Sequence, residues 1–296
     1  MVNSKNNTDS VDNIINDTTD IDGVLDIDDD HEIVNLPRMP HPGIYLIPNT
    51  FTLAALFSAF YAIVQAMNNN FEYAAIAIFA SLVLDGMDGR IARLTNTQSS
   101  FGEQFDSLAD MVSFGVAPAL IMYEWQLKSL GKWGWLAAFI YVAGAAIRLA
   151  RFNTNIKVVD KRFFQGLPSP ASGALLAGFV WLVVDLRVSL QEYRLETVWV
   201  AFILTIYAGV SMVSNVPFWS GKSLTLRKSL PVWSLGLVAL IFVLISSNPP
   251  LVLFGGFVVY GCSGYLISVY RFIKQSFKRS FQPKKTLLVQ NNHPKN

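Results

Sequence analysis

Long apolar runs separated by short polar stretches dominate the chain from residue 44 onwards. They lie at 44–68, 71–95, 101–125, 133–153, 168–187, 195–214, 229–247 and 250–273. Each is close to the roughly 20 residues needed for a helix to cross a bilayer. The pattern predicts an all-α integral membrane protein with about eight transmembrane helices. Glu103, Asp106, Asp110 and Glu124 dilute the third run. Only Ser246-Ser247-Asn248-Pro249-Pro250 separates the last two runs, and that composition predicts a tight turn. Gln165-Gly166-Leu167-Pro168 reads as a loop, with Pro168 and Pro170 placed to start the fifth helix.

Composition agrees with the pattern. Of 296 residues, 52% are hydrophobic and 15% charged, and the mean hydropathy of +0.38 is too high for an ordinary soluble domain. Lys and Arg in short loops mark the cytoplasmic side. Here they follow every second span: Arg90 and Arg93; Arg148, Arg151, Lys157, Lys161 and Arg162; Lys222, Arg227 and Lys228; Arg271, Lys274, Lys278, Arg279, Lys284 and Lys285. Even-numbered helices therefore exit into the cytoplasm and both termini are cytoplasmic. The opposite loops carry weaker bias, with Lys128 and Lys132 in one and a mixture of Asp185, Arg187, Glu192, Arg194 and Glu196 in another.

Three regions follow from this division. Residues 1–43 hold ten acidic residues against Lys5 and Arg38, which predicts a disordered acidic cytoplasmic tail without the pattern of a cleaved signal peptide. Residues 44–275 form the transmembrane catalytic domain. Residues 276–296 form a basic cytoplasmic tail suited to anionic lipid head groups. Cys262 is the only cysteine, which excludes an intramolecular disulfide and predicts a packed core thiol. Trp125, Trp133, Trp135, Trp181, Trp199, Trp219 and Trp233 fall near span ends, as interfacial belt residues do. The three histidines, His31, His41 and His293, lie in the tails. No Ser-His-Asp set, zinc spacing or dinucleotide-binding signature is present, and the aromatic residues do not suggest a nucleic-acid partner.

Charge placed against this background is the informative exception. Asp85 and Asp88 are three apart and Asp106 and Asp110 four apart, so each pair occupies one face of its helix. Ionisable residues beside hydrocarbon are expensive and point to function. Four facing carboxylates repel unless divalent cations neutralise them, and oxygen donors suit Mg²⁺ or Mn²⁺. Gly86, Gly89 and Gly102 leave room for close approach, and Arg93 presents a fork that matches phosphate. Ser100-Phe101-Gly102-Glu103 has capping-box spacing, so a helix N-terminus attractive to anions would open beside the second Asp pair. The chemistry implied is that of a phosphorylated substrate.

The stretch from Asp85 to Asp110 reads D-x2-D-G-x2-A-R-x8-G-x3-D-x3-D and resembles the motif of the CDP-alcohol phosphotransferase family at every position. Ile47-Pro48-Asn49-Thr50, the segments 107–118 and 148–153, and Phe164 to Pro170 extend the likeness over about residues 44 to 275. Together they are most similar to the bacterial, membrane-embedded members that use serine as acceptor. The resemblance implies two divalent cations, Mg²⁺ or Mn²⁺, on Asp85, Asp88, Asp106 and Asp110, with Asp110 and Asp106 catalytic and Asp110 as general base. It implies contacts to CDP-diacylglycerol from Pro48, Asn49, Thr50, Phe51, Asp88, Gly89, Arg93 and Ser99. Arg148 and Arg151, three apart, are expected to hold the diphosphate or the carboxylate of L-serine, with Asn153 nearby. The implied reaction moves a phosphatidyl group from CDP-diacylglycerol to the L-serine hydroxyl, giving phosphatidylserine and CMP. The setting is the inner membrane of a bacterium, in a homodimer surrounded by lipid.

Two alternatives remain open at this stage. Within the same chemistry the acceptor can be glycerol 3-phosphate, inositol phosphate or choline. From another class, a cation-coupled transporter would use buried aspartates, but it expects carboxylates near the midplane and repeat-related broken helices.

Overall fold

The computed structural model describes residues 46–280 except 96, 98, 155–162, 187–193 and 220–231. The expected acidic tail 1–43 lies outside the described residues. So do Lys157, Lys161, Arg162, Arg187, Glu192, Lys222, Arg227, Lys228, Lys284, Lys285 and the three histidines.

Eight helices occur among the described residues: α1 (Leu46–Met67), α2 (Phe71–Leu94), α3 (Ser100–Trp125), α4 (Lys132–Thr154), α5 (Ser169–Asp185), α6 (Arg194–Val213), α7 (Val232–Ser247) and α8 (Pro249–Ser280). Five of them, α1, α3, α4, α6 and α8, are individually long and apolar enough to cross a membrane. α2 has the length but ends in Asp85, Asp88, Arg90 and Arg93. α5 is apolar with 17 residues and is buried at almost every position from Ser169 to Val183, as expected of a helix that other helices surround.

Small side chains set the helix spacing. Ala55, Ala59, Ala62 and Ala66 are buried along one face of α1, and Ala74, Ala75, Ala77 and Ile78 are buried on α2. Ser58 Oγ donates to the Ala77 carbonyl at 2.8 Å, and Ser81 Oγ donates to the Ala55 carbonyl at 2.9 Å. In lipid, where apolar surface gains little by leaving the solvent, such close packing and interhelical hydrogen bonds hold helices together. α4 and α6 approach still more closely: a Cβ on Gly144 would stand 2.4 Å from the Gly209 carbonyl oxygen.

α5 lies between α2, α3 and α8, and the large side chains fill the space around it. Phe114, Ile121, Met122, Tyr141, Leu176 and Val180 are essentially inaccessible. Phe179 meets Trp125 edge-on at 5.6 Å and Phe254 at 5.7 Å. Trp125 is therefore a core residue rather than part of the interfacial belt, because it turns inward onto α5. Trp181 similarly packs against Phe79, while Trp133, Trp135, Trp199 and Trp219 are exposed.

Two further details differ from expectation. A short antiparallel ribbon pairs β1 (Phe163–Gln165) with β2 (Pro217–Trp219), tying the chain before α5 to the chain after α6. Its exit is Gly166 at φ +79°, where a Cβ would meet the Met212 carbonyl oxygen at 2.3 Å. Cys262 is exposed on α8 rather than packed in the core, since the inward face of that helix is taken by Gly261 and Gly264. α8 continues to Ser280, with no proline in the chain between Pro250 and Pro283, and its apolar span ends at Arg271. The tight turn between the last two helices is observed: Asn248 Oδ1 accepts from the Leu251 amide at 3.1 Å.

Candidate active site

Asp85 and Asp88 sit one turn apart near the end of α2, and Asp106 and Asp110 one turn apart near the start of α3. The helices bring one carboxylate oxygen each from Asp85, Asp88 and Asp106 to within 4.8 Å of one another. Asp110 touches Asp85 through its side chain, while its Oδ1 is buried with no hydrogen-bond partner among the described residues. Among the described residues no Lys or Arg forms an ion pair with these four carboxylates; the Glu124–Lys128 pair lies at the other end of α3. A convergence of uncompensated oxygen donors of this kind fits a hard divalent cation. The triad is Asp85, Asp88 and Asp106, with Asp110 placed behind it.

A cavity of about 330 Å³ opens beside the triad. Pro48, Asn49, Asp88, Gly89, Arg93 and Ser99, all expected from the sequence, line it, together with Asp106. Thr50 and Phe51 are not in the lining; the helical turn that aims Asn49 inward carries them to other faces of α1. Thr52, Ala92, Thr97, Gly102 and Glu103 complete the wall. Thr52 was not anticipated, although it stands four residues after Pro48 on the same helical face. A Cβ at Gly86 or Gly89 would meet nothing within 4 Å, so the missing side chain at Gly89 leaves room in the cavity rather than for the protein's own backbone.

The start of α3 is capped one residue earlier than the capping-box spacing suggests. Ser99, in extended conformation, accepts from the Gly102 amide through Oγ at 3.0 Å. Ser100 is already helical. The glycine explains the shift: a Cβ at residue 102 would lie 3.2 Å from Ser99 Oγ and 3.3 Å from Asn49 Oδ1. Its absence lets the cap and the α1 amide crowd the same helix end. The first turn of α3 thus faces the cavity with its amides and partial positive charge, favourable for an anion. Opposite it, Arg93 Nε donates to the Gly89 carbonyl at 2.8 Å, which holds the guanidinium against the cavity wall.

Arg148 and Arg151 take different hydrogen-bond partners. Arg148 turns into the bundle, donating from Nη1 to Ser169 Oγ at 2.8 Å, with Asp110 as a neighbouring charge. Arg151 donates from Nη1 to Asn215 Oδ1 at 3.1 Å, and Asn153 Nδ2 donates to Ser107 Oγ at 3.1 Å. Neither arginine lines the cavity. Their three-residue spacing puts them about 60° apart around α4, enough for α5 to capture one while the chain after α6 captures the other.

A sequence profile described as CDP-alcohol phosphatidyltransferase matches residues 45–215, more than half of the chain. The chain belongs to the CDP-alcohol phosphatidyltransferase family. Several relatives carry the name CDP-diacylglycerol–serine O-phosphatidyltransferase. One from Helicobacter pylori is 37% identical over 236 residues, covering 79% of this chain and 97% of the relative. One from Mycobacterium tuberculosis is 31% identical over 182 residues, covering 59% of this chain and 61% of the relative. One from Methanocaldococcus jannaschii is 36% identical over 141 residues, covering 48% and 61%. The matched region takes in α1 to α6, the helices that carry the four aspartates, the cavity and both arginines.

Proposed function

We propose that the protein transfers the phosphatidyl group of CDP-diacylglycerol to the hydroxyl of L-serine, releasing CMP and phosphatidylserine. The observation that carries this reading is the meeting of Asp85, Asp88 and Asp106 on one wall of a cavity that also holds Arg93 and the capped start of α3. The names of the relatives supply the acceptor.

In this reading the cavity takes the CDP part of the lipid substrate, with Asn49, Gly89, Arg93 and Ser99 around it, and the acyl chains stay in the bilayer. Asp85, Asp88, Asp106 and Asp110 would hold two divalent cations, Mg²⁺ or Mn²⁺. When bound, these neutralise charge on the diphosphate and leaving group. The serine hydroxyl oxygen attacks the phosphorus that bears the diacylglycerol oxygen. The bond from that phosphorus to the bridging oxygen breaks, and CMP leaves with the bonding pair. Asp110 receives the hydroxyl proton as general base, helped in position by Asp106, and no covalent enzyme intermediate forms. A serine hydroxyl is a weak nucleophile without such proton removal.

The same reading places the acidic tail 1–43, the catalytic region 44–275 and the basic tail 276–296 in one inner-membrane protein of a bacterium, with site and termini cytoplasmic, as the distribution of Lys and Arg supports. A homodimer is part of the proposal, checked by light scattering of the purified protein in detergent. The deciding experiment is CMP release from CDP-diacylglycerol in liposomes with L-serine, glycerol 3-phosphate, inositol phosphate or choline as acceptor. Release that requires L-serine is the expected result. Release with a phosphorylated alcohol and not with serine would overturn the acceptor while leaving the transfer chemistry.

A further inference from the structure

The family profile ends at residue 215 and α8 lies beyond it, yet α8 holds the connections on which the inner side of the site depends. Tyr207 Oη of α6 donates to the Gly261 carbonyl at 3.0 Å. Tyr265 Oη and Ser211 Oγ, again from α8 and α6, lie 2.7 Å apart. Tyr260 Oη donates to the Trp219 carbonyl at 3.1 Å, which joins α8 to the ribbon. Phe218, the middle residue of β2, is fully buried and sits 5.8 Å from the Tyr260 ring and edge-on to the Tyr265 ring at 6.2 Å. Its floor is Gly264, where a Cβ would stand 2.5 Å from the Phe218 ring. In lipid, close packing and interhelical hydrogen bonds of this kind carry the association of helices, so α8 grips the ribbon.

The ribbon in turn leads to the site. Phe218 pairs with Phe164, and the chain leaving β1 is tied down twice more. The Gly166 amide donates to the Val216 carbonyl at 2.9 Å, and the Leu167 amide to the Ser211 carbonyl at 3.0 Å. Ser211 therefore meets α8 through its hydroxyl and the exit of β1 through its carbonyl. Only Pro168 separates Leu167 from Ser169, and a proline ring leaves φ little freedom, so a shift of the ribbon passes on to Ser169. Ser169 Oγ, fully buried, accepts from Arg148 Nη1 at 2.8 Å. The electrostatic neighbours of that guanidinium are Asp110, Tyr260 and Tyr141. Tyr141 is held by the Phe114 carbonyl at 2.8 Å, and Tyr260 by the Trp219 carbonyl. Arg148 thus takes its place beside Asp110 from a frame whose outer member is α8.

We propose that Tyr260 and Tyr265 are positioning residues for the transfer: through the ribbon and Ser169 they set where Arg148 stands beside Asp110. The proposal rests on the transfer reading above and extends its machinery to a helix outside the family-matched residues. Neither tyrosine lines the cavity, so both act through other side chains. A grip at this distance matters because a misplacement of about 1 Å at the reacting groups can cost roughly 100-fold in rate. The triad and the cavity are built on α1, α2, α3 and the link between the last two, so binding of metal and of the lipid substrate does not depend on this frame.

The test is CMP release in liposomes, expressed per folded protein, from Tyr260→Phe, Tyr265→Phe and Gly264→Ala. Each tyrosine variant keeps its ring and loses one hydroxyl. The kcat/KM for L-serine is expected to fall roughly three- to tenfold in each, the worth of one neutral hydrogen bond, with the KM for CDP-diacylglycerol and the Mg²⁺ requirement unchanged. Gly264→Ala shows the same selective loss, and Phe218→Leu, added to it, makes room for the new Cβ and restores most of the activity. Ser169→Ala cuts the frame at its last link, so Tyr265→Phe adds little in a protein that already carries Ser169→Ala, as expected of residues in one network. A purely structural role would lower the unfolding temperature and leave kcat/KM per folded protein as in the wild type. That outcome, a parallel rise in the KM for CDP-diacylglycerol, or fully additive losses in the Ser169→Ala, Tyr265→Phe double variant would overturn the positioning role. A wild-type protein that releases no CMP with any acceptor would instead overturn the transfer reading, so the two failures are told apart.

Discussion

Thr52 Oγ1 lies 2.8 Å from Asp88 Oδ2 and 3.3 Å from the Pro48 carbonyl oxygen, joining α1 to α2 at the wall of the cavity. Both side chains are buried. The hydroxyl, with the Gly89 amide on the other oxygen, holds the Asp88 carboxylate in orientation beside Asp85 and Asp106, as outer partners of metal-binding carboxylates do. Thr52→Val keeps the shape and removes the donor. The Mg²⁺ concentration giving half-maximal CMP release is expected to rise roughly 10- to 100-fold, and the stabilisation of the purified protein by Mg²⁺ in a thermal-unfolding assay should weaken in parallel.

Removing the cations themselves gives a broader effect. Chelation with EDTA is expected to reduce CMP release to the background of protein-free liposomes, and added Mg²⁺ or Mn²⁺ to restore it. Asp85→Asn and Asp106→Asn should need more metal for restoration because each deletes one charge from the triad. Turnover that persists at full rate after exhaustive chelation would refute the metal assignment.

Asp110→Asn preserves size and abolishes proton acceptance. A general base contributes roughly 10²- to 10⁴-fold, so kcat is expected to fall by at least that range while binding of CDP-diacylglycerol, followed by its thermal stabilisation of the protein, is retained. Activity near that of the wild type would remove Asp110 from the base role.

Gly166→Ala tests the ribbon rather than the chemistry. The residue stands at φ +79° with the Met212 carbonyl oxygen 2.3 Å from any added Cβ, and strain of that sort costs about 1–3 kcal/mol. A lower unfolding temperature in detergent is expected. Gly236→Ala is the control: a Cβ there meets nothing within 4 Å, and alanine is favoured over glycine in a helix by about 0.5–1 kcal/mol.

Much of the site was legible because it is local. The spacing of Asp85 with Asp88 and of Asp106 with Asp110 places each pair on one helical face whatever the rest of the chain does. Arg93 and Gly89 belong to the same turn as the first pair. The start of α3 was legible to within one residue; Ser99 replaced Ser100 as the cap because Gly102 admits Asn49 from another helix, a contact no local pattern records. Thr52, Ser113 and Ser172 carried no signal of their own. A lone serine or threonine in an apolar run most often bonds to its own helix, as Thr205 does to the Ala201 carbonyl, and only a neighbour distinguishes the exceptions.

The sequence by itself determined the membrane class, the number of apolar helices and the carboxylate motif, because hydrophobic length and helical periodicity act within single segments. Tertiary structure decided everything that joins segments. It sent Arg148 inward and Arg151 aside, turned Trp125 into the core and Cys262 outward, paired β1 with β2, and left the Ser113 and Ser172 hydroxyls buried without a partner among the described residues. Those outcomes depend on which small residues let which helices approach, a property of pairs of surfaces that no single stretch of chain contains.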